Sequence, residues 1–244
     1  MSIPKSLRFA FLIEPPFNFW HKGEVVGCDI EVARHILREI GISSIEFVET
    51  EFADLLPGRV RGDWQMTTGL FRTKERAQTV SFTKPIWSLI DGLLVRKSAL
   101  ADITGYRSIA HNHDARIAVI RDQVQHDNAL ANGVPAERIA VFDTYEEAAD
   151  AVLSGEVIAY ASVGQAHNGY LRQNPNSGLI LVDVRDAERP PASGCFAIAQ
   201  GDRDFLSAVD KALETFLCSA AHRAIMYKHG FTANDVDDLV QLVN

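Results

Sequence analysis

The stretch FRTKERAQTVSF, residues 71–82, gathers Arg72, Lys74 and Arg76 within five residues. The chain around them is acidic, with 32 Asp and Glu against 24 Lys and Arg and a formal net charge of -8. A cation cluster in such a chain suits a local anion, and a guanidinium fork meets a carboxylate with two parallel charge-assisted bonds. Other reactive constellations are scarce. His111 and His113 form an HNH triplet with ligand types but no third ligand, which reads as a polar loop. Cys28, Cys195 and Cys218 are odd in number and far apart, so they read as buried thiols, not as a metal set or a disulfide framework. There is no GxGxxG, no phosphate-binding GxxxxGK loop, and no Ser/His/Asp or Cys/His arrangement. The expectation is a binding function with no cofactor and no metal.

Composition supports that reading. The chain has 244 residues, 47% of them apolar and 23% charged, enough for one large or two small globular domains. The acidic surplus argues against nucleic acid as a partner. No apolar run reaches the roughly 18 residues of a membrane span. Phe9–Ile13 has five apolar residues, short of the roughly 7–15 of a secretory core, and reads as a strand. The chain as given carries no export signal, which leaves a cytoplasmic location or a signal already removed. A monomer is expected.

The elements that position the cations follow an α/β alternation. Leu7–Ile13 is strand-like and ends at Pro15-Pro16. A helix is predicted over Asp29–Ile40, with Ile30, Ala33, Ile36, Leu37 and Ile40 on one face and Gly41 as its stop. Strands at Ile45–Val48, Met66–Leu70, Thr79–Phe82 and Gly92–Val95 enclose a helix at Phe52–Arg61. The pattern restarts with strands at Arg116–Ile120, Ile139–Phe142, Ile158–Ser162 and Leu179–Val184. Helices at Gln123–Ala131, Tyr145–Leu153 and Ala166–Leu171 alternate with them. After Glu188-Arg189-Pro190-Pro191 come a strand, Cys195–Ala199, and helices at Asp204–Leu217 and Ala220–His229. This predicts one lobe from residues 1–96 plus 189–244 and a second from 97–188. Two strands would cross between them, a geometry suited to a hinge.

With that layout, EPPFNFW, GEVVGCDIEVARHILREIG, GLFRTKERAQTVSF, SGEVIAYASVGQAHNGYL and FAIAQGDRDFLSAVDKALETF together resemble the type 2 periplasmic substrate-binding proteins that serve amino-acid ABC importers. The resemblance covers nearly the whole chain. It implies a two-lobed periplasmic-binding-protein-like type II fold and, if the protein is exported, an ABC permease as partner. By spacing from Gly69, it makes Arg76 the residue that binds a ligand carboxylate, with Thr73 opening the helix that carries it. It implies Thr68, Gly69, Phe71 and Phe52 as further first-lobe contacts, and Arg121, Gln123, Ser162 and Val163 as the second-lobe face.

The departures from the family concern the ligand's cation. Where the resemblance places an Asp for an α-ammonium, this chain has Val163, with Ser162 and Gly164 beside it. The loop that is usually Gly, Ser and Thr reads Arg121-Asp122-Gln123-Val124-Gln125-His126. Glu14 stands where an aromatic is common and Trp64 where Asp is common. An ammonium without a partner in a closed site is costly, so Glu14 or Asp122 must replace the missing acid, or the ligand lacks an α-amine. Trp20, Trp64 and Trp87 are read as pocket walls or core. Two other classes share this fold: cyclohexadienyl dehydratases, for which Glu14 is the one acid to nominate, and sensing domains of receptors.

Overall fold

The protein is presented as a computed structural model that describes residues 4–233, 235, 236 and 239. The chain divides into two compact units. One holds the residues up to Ser88 and those from Ser193 onward, and the other is Leu89–Ala192.

The first unit is built on a five-stranded sheet in the order β4-β1-β5-β15-β7. Its strands are β1 (Ser6–Phe11), β4 (Ser44–Glu49), β5 (Met66–Thr67), β7 (Val80–Phe82) and β15 (Ala197–Ala199). β1 runs parallel to β4 and β5, while β15 returns antiparallel to β5 and β7. A hairpin of β2 (Phe19–His21) and β3 (Glu24–Val26) leads into helix α1 (Cys28–Glu39). Ile30, Ala33, Ile36 and Leu37 of α1 are buried, on the face that the 3.6-residue period predicts. Gly27 makes the join: a Cβ there would lie 1.9 Å from the Phe17 carbonyl oxygen, and its φ is +132°. Helix α2 (Phe52–Arg61) packs Leu55 beside Ala10, Leu12 and Trp64. A second, three-stranded sheet has the order β6-β14-β8, from β6 (Leu70–Phe71), β8 (Trp87–Leu89) and β14 (Ala192–Cys195).

The second unit repeats the plan with the order β11-β10-β12-β9-β13. Here β9 is Asp91–Arg96, β10 Ile117–Ile120, β11 Ile139–Phe142, β12 Ala159–Val163 and β13 Leu179–Asp183. β10 is parallel to β11 and β12, and β9 is antiparallel to β12 and β13. Helices α3 (Tyr106–His111), α4 (Gln125–Ala131), α5 (Tyr145–Ser154) and α6 (Gly164–Gln173) join these strands. Thr144 is the N-cap of α5. Its hydroxyl accepts from Glu147 N, and Glu147 returns a bond to Thr144 N. The chain ends its described course in the first unit with α7 (Arg203–Phe216) and α8 (Ala220–Lys228).

Three expectations change. The boundary expected after residue 96 falls at 88/89, because β9 is an interior strand of the second unit's five-stranded sheet, and the return falls at 192/193 instead of 188/189. Met66–Leu70 is not one strand: the chain leaves the first sheet at Thr68-Gly69 and joins the second as β6. Likewise the last expected strand divides into β14 and β15. Sequence periodicity also missed α3, β8 and the β2–β3 hairpin, all short elements that carry little pattern. Among the described residues no helix is long and apolar enough to cross a membrane.

Candidate functional site

Of the three clustered cations, Arg72 and Lys74 are exposed and Arg76 is partly buried. Thr73 does not open an α-helix. Residues 76–78 form a single 3₁₀ turn, so the expected helix-terminus contribution to anion binding is absent there. Thr73 instead takes the backbone N–H of Arg76 on its hydroxyl, at 3.2 Å. The guanidinium is held from two sides. Its Nη1 donates to the Phe71 carbonyl at 2.8 Å, and its Cζ lies 5.2 Å from the centre of the Phe52 ring. A cation over an aromatic face gains about 0.5–1 kcal/mol at an exposed site. Phe52 and Phe71 thus act on Arg76 first of all.

Thr68 and Gly69 are organised by a buried carboxylate that sequence reading took only for a helix start. Asp29 is 1% exposed. Its Oδ2 accepts from the Thr68 hydroxyl at 2.7 Å and from Gly69 N at 2.8 Å, and its Oδ1 accepts from Trp87 Nε1 at 3.1 Å. Asn18 Nδ2 in turn donates to the Thr68 hydroxyl at 2.8 Å, and Thr68 N donates to Ala10 O. The donors of this strand end are therefore committed inside the first unit, and the Thr68 carbonyl accepts from the Thr67 hydroxyl at 3.0 Å. Burial pushes the Asp29 carboxyl up, against the opposing pull of those hydrogen bonds. The signal in the sequence was an acid set inside an apolar run, Cys28-Asp29-Ile30.

The second unit has a counterpart in Asp91, also 1% exposed. It accepts from Tyr106 Oη at 2.7 Å, Asn128 Nδ2 at 2.7 Å and Gln125 Nε2 at 3.0 Å. Burial raises its carboxyl as well, opposed by these bonds and by the Arg189 charge. Across the antiparallel β9–β12 register Asp91 faces Val163, and Gly92 faces Ser162. Val163 and Ser162 are both buried, at the end of β12 where α6 begins. The loop 121–124 precedes α4. Gln123 is 8% exposed, and among the described residues its buried Oε1 has no hydrogen-bond partner. Arg121, expected as a second anion contact, is exposed and bound to Asp143 at 2.6 Å. Asp122 adopts φ +63° beside it.

Glu14 stands in the turn that closes on Asn18, where its backbone N–H donates to Asn18 O at 2.9 Å. Its peptide neighbours Pro15 and Pro16 are joined cis. Trp64 and Trp87 are core residues at 5% exposure each. Trp20 is half exposed and bonded to Glu49. His111 ends α3 and His113 is exposed in the loop after it. One of the buried histidines that the sequence did not single out is His167 of α6, whose Nδ1 lies 2.6 Å from Tyr145 Oη.

Two α/β units, one discontinuous and one continuous in the chain, with a held guanidinium in the first and a polar loop at the strand ends of the second, define the class of solute-binding proteins of the type II fold. The profile of the bacterial extracellular solute-binding proteins, family 3, matches residues 7–231, and the chain belongs to that family. A probable amino-acid ABC transporter periplasmic-binding protein of Sinorhizobium fredii (strain NBRC 101917 / NGR234) is 26% identical over 220 residues, covering 88% of this chain and 73% of that protein. Among solved structures, EhuB in complex with hydroxyectoine superposes with a TM-score of 0.86 at 24% identity, covering 98% of this chain and 95% of that one. An ancestral arginine-binding protein bound to arginine gives 0.81 at 25% identity, covering 93% and 99%.

Proposed function

We propose that this solute-binding protein takes a small carboxylate-bearing ligand, an amino acid or amino-acid derivative, and delivers it to an ABC permease from the periplasmic side. The two units would close on the ligand, using the crossings at 88/89 and 192/193 as the hinge. The observation that carries this reading is the Arg76 guanidinium, held by the Phe71 carbonyl and the Phe52 ring. A donor fork fixed in advance loses little freedom on meeting a carboxylate.

Gly69 supplies a carbonyl rather than an N–H, which suits a ligand cation. Gln123 supplies an acceptor that, among the described residues, has no donor; such a group, when buried, costs about 1–3 kcal/mol until it is met. Ser162 and Val163 form the remaining second-unit wall, and Arg121 is left to Asp143. With Val163 at the end of β12, the ligand's cation is met by carbonyl and amide oxygens, or by Glu14 or Asp122. Two similar proteins are bound to arginine and to hydroxyectoine, both carboxylates with a delocalised cation.

The test is a thermal-shift panel of amino acids, betaines, hydroxyectoine, opines and small dicarboxylates, each beside its carboxamide. A ligand at 100 times its Kd adds about 2.7 kcal/mol of stability. A shift with carboxylate-bearing members and none with their amides supports the reading. A panel in which the amides shift the protein as far as the acids overturns it.

A further inference from the structure

Both passages between the units run through one small sheet. β8 carries residues 87–89 across the first boundary and β14 carries 192–195 across the second. Their sheet mate is β6, the strand of Phe71, and β14 lies between the other two. In the β14–β6 register Gly194 faces Phe71.

Trp87 is the side chain on which these strands converge. The bare Cα of Gly194 lets the indole lie against it: a Cβ there would sit 2.0 Å from the ring. The Phe71 ring packs edge-on against the indole, 5.4 Å between centres. The indole N–H is tied to Asp29, which also holds the Thr68 hydroxyl and Gly69 N immediately before β6. Phe71 then holds Arg76 through its carbonyl. A displacement of β8 or β14 meets the indole first, and through it β6 and the guanidinium. The packed path has no slack, because protein interiors are filled to near crystal density.

We propose that Trp87, anchored by Asp29, is a positioning residue that couples the two inter-unit crossings to the orientation of Arg76. The proposal rests on the reading of Arg76 as the anchor, but its main test is made without ligand.

Amide hydrogen exchange is measured on ligand-free wild type, Trp87→Phe and Trp64→Phe. Trp64 is the control: it is buried in the same unit, its Nε1 donates to Leu55 O at 3.0 Å, and it belongs to the cluster of Ala10, Leu12 and Leu55 on which Phe52 packs, not to β6, β8 or β14. Trp87→Phe keeps a ring but loses the bond to Asp29. The expected result is exchange at least tenfold faster in both 68–78 and 192–196, with β1 and β4 unchanged. Trp64→Phe should leave 68–78 and 192–196 at wild-type rates. Acceleration confined to 85–89, or the same acceleration in Trp64→Phe, would overturn the coupling. If Trp87→Phe does not fold, Phe71→Leu interrupts the path one contact later and is read against 192–196 in the same way.

Binding then separates positioning from general softening. With hydroxyectoine, L-arginine and L-glutamine as probes, Trp87→Phe weakens whichever the wild type binds by tenfold or more, and Trp64→Phe by less than threefold. Equal weakening by the two variants counts against a positioning role. A wild type that binds none of the three counts against the solute reading, and the exchange result still decides the coupling.

Discussion

Acid should weaken the second unit through His167. The ring is fully buried, with Nδ1 at 2.6 Å from Tyr145 Oη and Nε2 at 3.2 Å from the Gly92 carbonyl. The edge of one ring meets the face of another in the Tyr160 pair, 5.1 Å between centres. Burial opposes the charged imidazolium and holds the pKa down to about 3, from an ordinary value of 6.5. Between those two values the unfolded chain binds one proton that the folded chain refuses. The contribution is complete above about pH 6.5 and is lost as pH falls toward 3, with a slope of about 1.4 kcal/mol per pH unit. Over the whole window that amounts to several kcal/mol, on the order of 5. The raised carboxyls of Asp29 and Asp91 act in the opposite sense, because the folded state binds their protons first as pH falls. A comparison with His167→Gln removes their contribution, since both proteins carry them. Urea unfolding at pH 7, 6 and 5 gives the assay. The wild type should lose about 1.4 kcal/mol per unit more than the variant below pH 6. Parallel curves for the two proteins would refute the buried neutral imidazole.

Other expectations follow from single contacts. Gly194→Ala drives a methyl into the Trp87 ring and should cost about 1–3 kcal/mol or prevent folding; an unchanged melting temperature would contradict the packing. Thr144→Ala removes the hydroxyl half of the α5 capping box and leaves the backbone N–H of residue 144 on Glu147; it should cost about 1 kcal/mol in urea unfolding, and an unchanged midpoint would contradict the cap. Burial raises the Cys28 thiol well above its ordinary value and the Cys195 thiol to about 12. Neither should react with a disulfide reagent at pH 8 until the protein is unfolded, and rapid labelling of either would show that its thiol is open to solvent.

Much of this was legible in the sequence where a period was long enough to show. Helix α2 falls on the expected residues, and α1 and α7 fall within one residue of theirs, because apolar spacing on an amphipathic helix repeats over three turns. Short pieces were not legible. β5 and β6 read as one strand, since a change of sheet at Thr68-Gly69 leaves the apolar run unbroken. Arg76 stood out through its neighbours and its spacing from Gly69, but its supports did not. The Phe71 contact uses a backbone carbonyl, which no residue type announces. Asp29 and Asp91 form their networks with partners 15 to 58 residues away in sequence. Only their odd placement within apolar runs hinted at burial. Arg121 shows the converse: a cation at the right place in the loop is taken by Asp143 on the neighbouring strand's end, which only the β10–β11 pairing reveals.

The central claim is that Arg76 anchors the carboxylate of a small solute. Calorimetric titration of wild type and Arg76→Ala with hydroxyectoine, L-arginine and L-glutamine tests it most directly. Two charge-assisted hydrogen bonds at about 1.5–3 kcal/mol each predict a loss of at least a hundredfold in affinity for the probe that binds, with the circular dichroism and melting temperature of the unliganded protein unchanged. The same Kd in the two proteins would contradict the account.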